Sequence, residues 1–290
     1  MEPFQKINFR QKRDFGEIIN ATFAFIKQNF KQLFKYILLI VGPVQLVGGY
    51  LIGSAFKSLI YDRSNPMALY SHNTGLYVSY LILIISGVLY AGVITGYFKL
   101  YMASEDGKIT IGQVWQETRS RFFPLLGWTF LIGITLTISY ILFLIPGIYL
   151  SIPLCLGFVA LTVENKGVFD AFSRGFEVVK DHWWATFGLI IVIFIIAMVI
   201  MYAFMIPLYL IMFAFNMNSL NDPSKASNNL LSISNIIRTI YMPLYYLLAL
   251  FVNSIFLTAI TFKFFALVEK KESVGILGEI EKLGGQENEI

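Results

Sequence analysis

The chain has 290 residues, of which 57% are hydrophobic and 14% charged, with a mean hydropathy of +0.67 and a formal net charge of +4. Soluble domains carry roughly a quarter charged residues, so this balance excludes an ordinary soluble domain and places the chain among polytopic membrane proteins. Nucleic acid is not an expected partner. The single cysteine, Cys155, sits in an apolar run and cannot form an intramolecular disulfide. Two histidines, His72 and His182, are too few and too far apart to form a metal cluster, and no cofactor is expected.

Lys6, Arg10, Lys12 and Arg13 precede any apolar run, which reads as a basic arm and not as a signal peptide. Such a cluster fits an anionic-lipid contact, worth about 1 kcal/mol per basic residue, although its commoner role is to orient the chain. From Asp14 the pattern becomes that of an amphipathic helix. Asp14 and Glu17 are spaced as a capping pair, and Ile19, Phe23, Ile26 and Phe30 share one face. Residues 36–56 then carry no charge over 21 positions. At 1.5 Å per residue that is about 31 Å, the thickness of a bilayer's hydrocarbon core.

Residues 57–75 read as a polar loop and residues 76–98 as the second span. A capping pair at Thr110 and Gln113 opens a second, shorter amphipathic helix, marked by Ile111, Val114, Trp115 and Phe122. Residues 122–163 are uncharged, and Pro146-Gly147 near their middle is a turn signal, which predicts a hairpin of spans 122–145 and 148–163.

The stretch 164–184, ENKGVFDAFSRGFEVVKDHWW, is a charged amphipathic segment between two apolar runs. As a helix it sets Val168, Phe172, Phe176, Val179 and Trp183 on one stripe and Asp170, Arg174, Glu177 and Asp181 on another, the pattern of an element lying flat at a membrane surface. A fifth span is expected over 184–206, with Pro207 as its kink or end, and a sixth over 239–262. In the tail, 269–290, Ile276, Leu277, Ile280 and Leu283 have the spacing of a small amphipathic helix.

The expected fold is therefore all-α: one polytopic membrane domain over 1–268, with six transmembrane helices and cytoplasmic amphipathic surface helices. Of the 22 basic residues, 18 fall on the side of the termini and four, Lys57, Arg63, Lys225 and Arg238, on the other. The positive-inside rule then places both termini in the cytoplasm. A bacterial cytoplasmic membrane is the expected location.

A shift of 153 residues lays Ile19, Phe23, Ile26 and Phe30 onto Phe172, Phe176, Val179 and Trp183. With the helix at Thr110, this suggests three units of amphipathic helix plus hairpin. Convergent patterning of surface helices that feed spans accounts for the same stripe.

Pro153 on an apolar span, Glu164 at its end, then Gly167, Ala171, Ser173-Arg174 and the Lys180–Trp183 junction resemble the membrane-domain family found beside glycerophosphoryl diester phosphodiesterases. The likeness is strongest over residues 153–187. It implies a multi-span protein whose family name derives from a fused catalytic barrel. Six spans and their connectors occupy the 290 residues and leave no room for a barrel of roughly 250 residues, so phosphodiesterase activity does not carry over.

The spans as drawn contain no ionisable residue, which weighs against an ion-coupled pump. Gln45 and Asn253 are the candidate polar intramembrane residues, with interhelical hydrogen bonding as their commoner role. Glu164, Asp170, Arg174 and Lys180 form a candidate cytoplasmic interface cluster, in which Asp170–Arg174 pairing along the helix is the default. Gly49/Gly53 and Gly92/Gly96 have the close-packing spacing and should each meet a different neighbour. Asp181-His182 is an acid–histidine neighbour pair without an assignable nucleophile, and no catalytic residue is expected. The functional expectation is a non-enzymatic membrane protein, a binding or accessory module in envelope or lipid physiology. Its expected partners are membrane lipids and another membrane or cytoplasmic protein. A transporter of a lipid or small solute is the alternative.

Overall fold

A computed structural model of the chain describes residues 6–61, 74–104, 107–142, 144–222, 224 and 226–272; the tail helix expected at Ile276–Leu283 and the loop residues around His72 lie outside them. The helices are α1 Phe15–Ile40, α2 Gly42–Tyr61, α3 Thr74–Ala103, α4 Ile111–Leu142, α5 Leu144–Thr162, α6 Val168–Val179, α7 Trp183–Asn221, α8 Ala226–Ile236 and α9 Met242–Glu272. A π-helical turn, Ile237–Tyr241, joins α8 to α9. No strand occurs among the described residues. Among the described residues, five helices are long and apolar enough to cross a membrane, and α1 with α2 makes a sixth if that pair, bent by 61°, is one span. The protein is an all-α polytopic membrane protein.

The helix boundaries follow local chemistry. Asp14 and Glu17 close the expected capping box reciprocally, each backbone N–H donating to the other's carboxylate at 2.8 Å. Thr110 and Gln113 do the same at α4, with the Thr110 N–H donating to Gln113 Oε1 at 2.8 Å. The amphipathic segment and the apolar run after it form one continuous helix in α4, whereas the run 36–56 is split, its first residues closing α1 and the remainder lying in α2 beyond the bend. At the α1–α2 bend, Pro43 has no N–H to continue the ladder of α1, and it sits in the first turn of α2, where none is needed. Pro146 and Gly147 fall in the first turn of α5 and not between the two helices, which corrects their reading as the turn of the hairpin. Pro207 lies inside α7, a helix of 39 residues that continues past it to Asn221.

The chain divides into two compact units, one of Met1–Leu33, Ala91–Phe194 and Ser254–Ile290 and one of Phe34–Tyr90 and Ile195–Asn253. The first is centred on Phe9. Its ring stacks on Phe262 (4.4 Å between centroids, 12° between planes) and meets Phe25, Tyr101 and Phe265 edge-on. Phe9 is 2% exposed, and Arg13 is buried beside it, its guanidinium 4.9 Å over the Phe262 ring and donating to the Phe9 carbonyl. The Lys6 ammonium donates to the Met102 carbonyl at 2.7 Å. The arm is thus anchored by Phe9 and Arg13, which are buried, while Lys6, Arg10 and Lys12 stay exposed.

In α1 the residues packed inward are Ile18, Thr22, Phe25 and Asn29, while Phe23 and Phe30 of the expected apolar face are exposed. Gly92 and Gly96 of α3 pack on Thr118 and Glu117 of α4, where a Cβ at Gly92 would stand 2.8 Å from the Thr118 methyl.

In the second unit, Gly49 and Gly53 of α2 lie against backbone. An added Cβ would be 2.7 Å from Pro243 Cα and 2.6 Å from Arg238 Cα. Each GxxxG pair has its own neighbour, as the spacing predicts. The π-helical turn is the surface that Gly53 meets.

Candidate functional site

The α5–α6 hairpin builds the candidate site. α5 ends at Thr162, and Asn165 adopts the left-handed conformation (φ 59°) while the Lys166 N–H donates to the Ala160 carbonyl. Asparagine is the residue besides glycine that tolerates this C-terminal geometry. The chain then runs back along α5. Gly175 lies so close to Pro153 that an added Cβ would stand 2.1 Å from the Pro153 carbonyl oxygen, and one on Gly157 would stand 2.6 Å from that of Ala171. The buried stripe of α6 is Ala171, Gly175 and Val178, with Val179 at its edge, whereas Phe172 and Phe176 are only half-buried. The expected face is rotated by one residue, about 100° on a helix. Small residues face the protein because only they permit backbone contact.

This packing fixes Arg174. Its guanidinium donates to Glu272 at 2.7 Å and to Glu164 and Glu177 at 3.2 Å, with its side chain 13% exposed. Glu272 is the largest cause of its raised pKa, followed among the stabilising partners by Glu164. Arg174 in turn holds the Glu177 carboxyl below its usual range. The default pairing of Arg174 with Asp170 is therefore corrected. Asp170 is exposed in the first turn of α6, where a carboxylate favours the helix dipole, and three other carboxylates surround the guanidinium. Lys180 is exposed at the far end of α6 and has no ion pair among the described residues. Of the four cluster residues, the fold brings Glu164 and Arg174 together and leaves Asp170 and Lys180 apart from them.

A polar cavity of about 460 Å³ opens beside this network, with Arg10, Lys166 and Arg174 facing Glu164, Glu269 and Glu272. Sequence spacing could reveal Glu177, three residues from Arg174 on the same helix. It could not reveal Glu272 or Arg10, which arrive from α9 and the arm. Among the described residues, no group of three His, Cys, Asp or Glu side chains could hold a metal ion.

The polar intramembrane candidates part company. Gln45 is 6% exposed and joins three helices: its Nε2 donates to the Tyr246 carbonyl at 3.2 Å, and its Oε1 accepts from Ser86. Asn253 is exposed on α9. Gln45→Leu should therefore lower stability by about 1 kcal/mol, the scale of interhelical hydrogen bonds in membranes. Asn253→Leu should leave the melting temperature unchanged in heated detergent samples assayed by size-exclusion. Equal losses in the two variants would contradict this assignment.

His182 is shifted mainly by groups other than its neighbour Asp181. Burial and then Lys270 and Lys263 hold it below the usual histidine range, and Asp181 opposes them weakly. A histidine depressed in the folded state takes up its proton first in the unfolded state. Its contribution is fully present above about pH 6.5, the unfolded value, and is lost as pH falls through 6.5 toward the folded value. The melting temperature should decline from pH 7 to pH 5 with a slope that His182→Gln reduces. An unchanged slope would show that His182 is not linked to folding.

The chain was compared with protein families, curated proteins and solved structures. No curated protein and no solved structure matches it. One family model, described as a domain of unknown function (DUF7847), matches residues 73–268. The matched stretch contains Glu164, Asp170, Arg174, Lys180 and Asn253 and excludes Arg10, Gln45 and Glu272. Because this stretch is more than half of the chain, the protein belongs to the DUF7847 family.

Proposed function

We propose that the protein is a non-enzymatic binding or accessory module of the membrane, with both termini in the cytoplasm, and that it docks a partner protein through the Arg174 cluster. The carrying observation is the cavity beside Arg174, where three cations and three carboxylates converge from the arm, the loop between α5 and α6, α6 and α9. A guanidinium held by three carboxylates is fixed in place, and a fixed charge array recognises a polar partner without a large ordering cost. Arg10 and Lys166 are exposed at its rim and available to such a partner. The hydrogen bonds of Gln45 to Tyr246 and Ser86 favour its tying helices together over its lining a solute path.

A photocrosslinking amino acid at Lys166, in native membranes, should trap a defined polypeptide, and Arg10→Glu should remove the adduct without reducing folded protein. Proteoliposomes that move a solute, with no polypeptide adduct from Lys166, would replace this reading with the transporter. Orientation has its own test. In a Cys155→Ser background, a cysteine at Ser232 should react with an impermeant thiol reagent from outside intact cells, and one at Ser173 should not. The reverse pattern would invert the topology.

A further inference from the structure

A groove of about 690 Å³ opens where the first turns of α5 meet the junction of α6 and α7. Its floor is aromatic. The Trp183 ring lies nearly parallel to Tyr149 (5.5 Å, 17°) and to Phe187 (5.1 Å, 19°), and Trp184 meets it edge-on at 4.8 Å. The indole N–H of Trp183 donates to the Tyr149 carbonyl at 3.2 Å, so that polar atom is already occupied, and the Tyr149 side of the stack is 52% exposed. Trp184 is 77% exposed at its edge.

One lip of the groove is charged. Lys180, Asp181 and His182 line it, and Lys180 has no ion pair among the described residues. Lys180 is the lysine among the groove's lining residues, with Asp181 next to it. The groove thus offers apolar surface and an exposed ammonium, that of Lys180, within a few residues of each other. Tryptophan and tyrosine side chains favour the depth of lipid headgroups, and lysines beside a membrane attract anionic ones.

We propose that this groove binds an anionic phospholipid, with the Lys180 ammonium on the phosphate and the Tyr149–Trp183–Phe187 stack against the first part of an acyl chain. A quaternary ammonium would suit the ring faces but would meet the like charge of Lys180. A free phosphate would leave the aromatic floor unused. The assignment requires only that the chain sits in a bilayer, and it does not depend on the Arg174 cluster binding a partner.

The test uses the full chain with Trp115→Phe, reconstituted in phosphatidylcholine nanodiscs. Phosphatidylglycerol with brominated chains is compared with brominated phosphatidylcholine at equal mole fraction. The anionic lipid should quench tryptophan emission several-fold more strongly. Lys180→Gln should bring the two lipids to equality, Lys180→Arg should keep the preference, and Trp184→Phe should remove part of the quenched signal. Equal quenching by both lipids, or a preference that survives Lys180→Gln, would overturn the proposal. Millimolar inorganic phosphate should leave the preference intact. Its disappearance would assign the rim to free phosphate and overturn the lipid. If Lys180→Gln yields no folded protein, the lipid comparison on the parent protein and on Trp184→Phe still decides.

Discussion

Gly175→Ala is expected to reduce folded protein to a small fraction of the parent yield. The added methyl carbon would stand 2.1 Å from the Pro153 carbonyl oxygen and 2.8 Å from the Gly157 nitrogen. Both are backbone atoms, so no side chain can swing aside, and α6 must move off α5. Displacement on that scale goes beyond ordinary overpacking, which costs about 1–3 kcal/mol, and here about 3 kcal/mol or more is expected. It also pulls Arg174 away from Glu164, leaving partly buried carboxylates unmatched. Gly133→Ala is the control. Nothing lies within 4 Å of a Cβ there, and exchanging glycine for alanine within a helix is neutral or favourable by up to about 1 kcal/mol. If both variants gave parent-like yields and melting temperatures, the close approach of α5 and α6 would be wrong.

Phe9→Ala is expected to be nearly as damaging, although it changes a residue of the arm outside every span. The Phe9 ring is enclosed by Phe25, Phe98, Tyr101, Phe262 and Phe265, and its removal leaves a cavity that these rings, held by their own helices, cannot fill. Buried Phe→Ala changes cost about 3–5 kcal/mol. Phe9→Leu should recover much of that loss. Lys12→Ala, three residues away on an exposed position, should be silent. A Phe9→Ala protein that melts with the parent would show that the arm is not docked on α1, α3 and α9.

Asp14 with Glu17 and Thr110 with Gln113 were legible as helix starts because a capping box is a local bond set, complete within four residues. The separate neighbours of the two GxxxG pairs were legible for a similar reason, since glycine at that spacing has one main use in a membrane helix. The 153-residue shift also has a structural counterpart. It carries Ile18, Thr22 and Phe25, the inward stripe of α1, onto Ala171, Gly175 and Val178, the inward stripe of α6. The two segments differ in one respect: α1 runs unbroken through Lys27–Asn29, the positions laid onto the break between α6 and α7.

Taken alone, the sequence determined the membrane class, the all-helical architecture and the chemistry of the helix ends, because hydropathy, charge spacing and capping act over a few residues at a time. Which apolar face meets protein was decided only by the tertiary structure. Lipid tails are as apolar as a protein interior, so hydrophobicity separates polar from apolar faces but cannot tell lipid contact from helix contact. That is why the stripe of α6 was displaced by one residue onto Ala171 and Gly175, and why Gln45 is buried while Asn253 is exposed. The partners of Arg174 were beyond local reading as well, since Glu272 approaches from α9 and the guanidinium chooses among carboxylates by geometry in space and not by spacing along the helix.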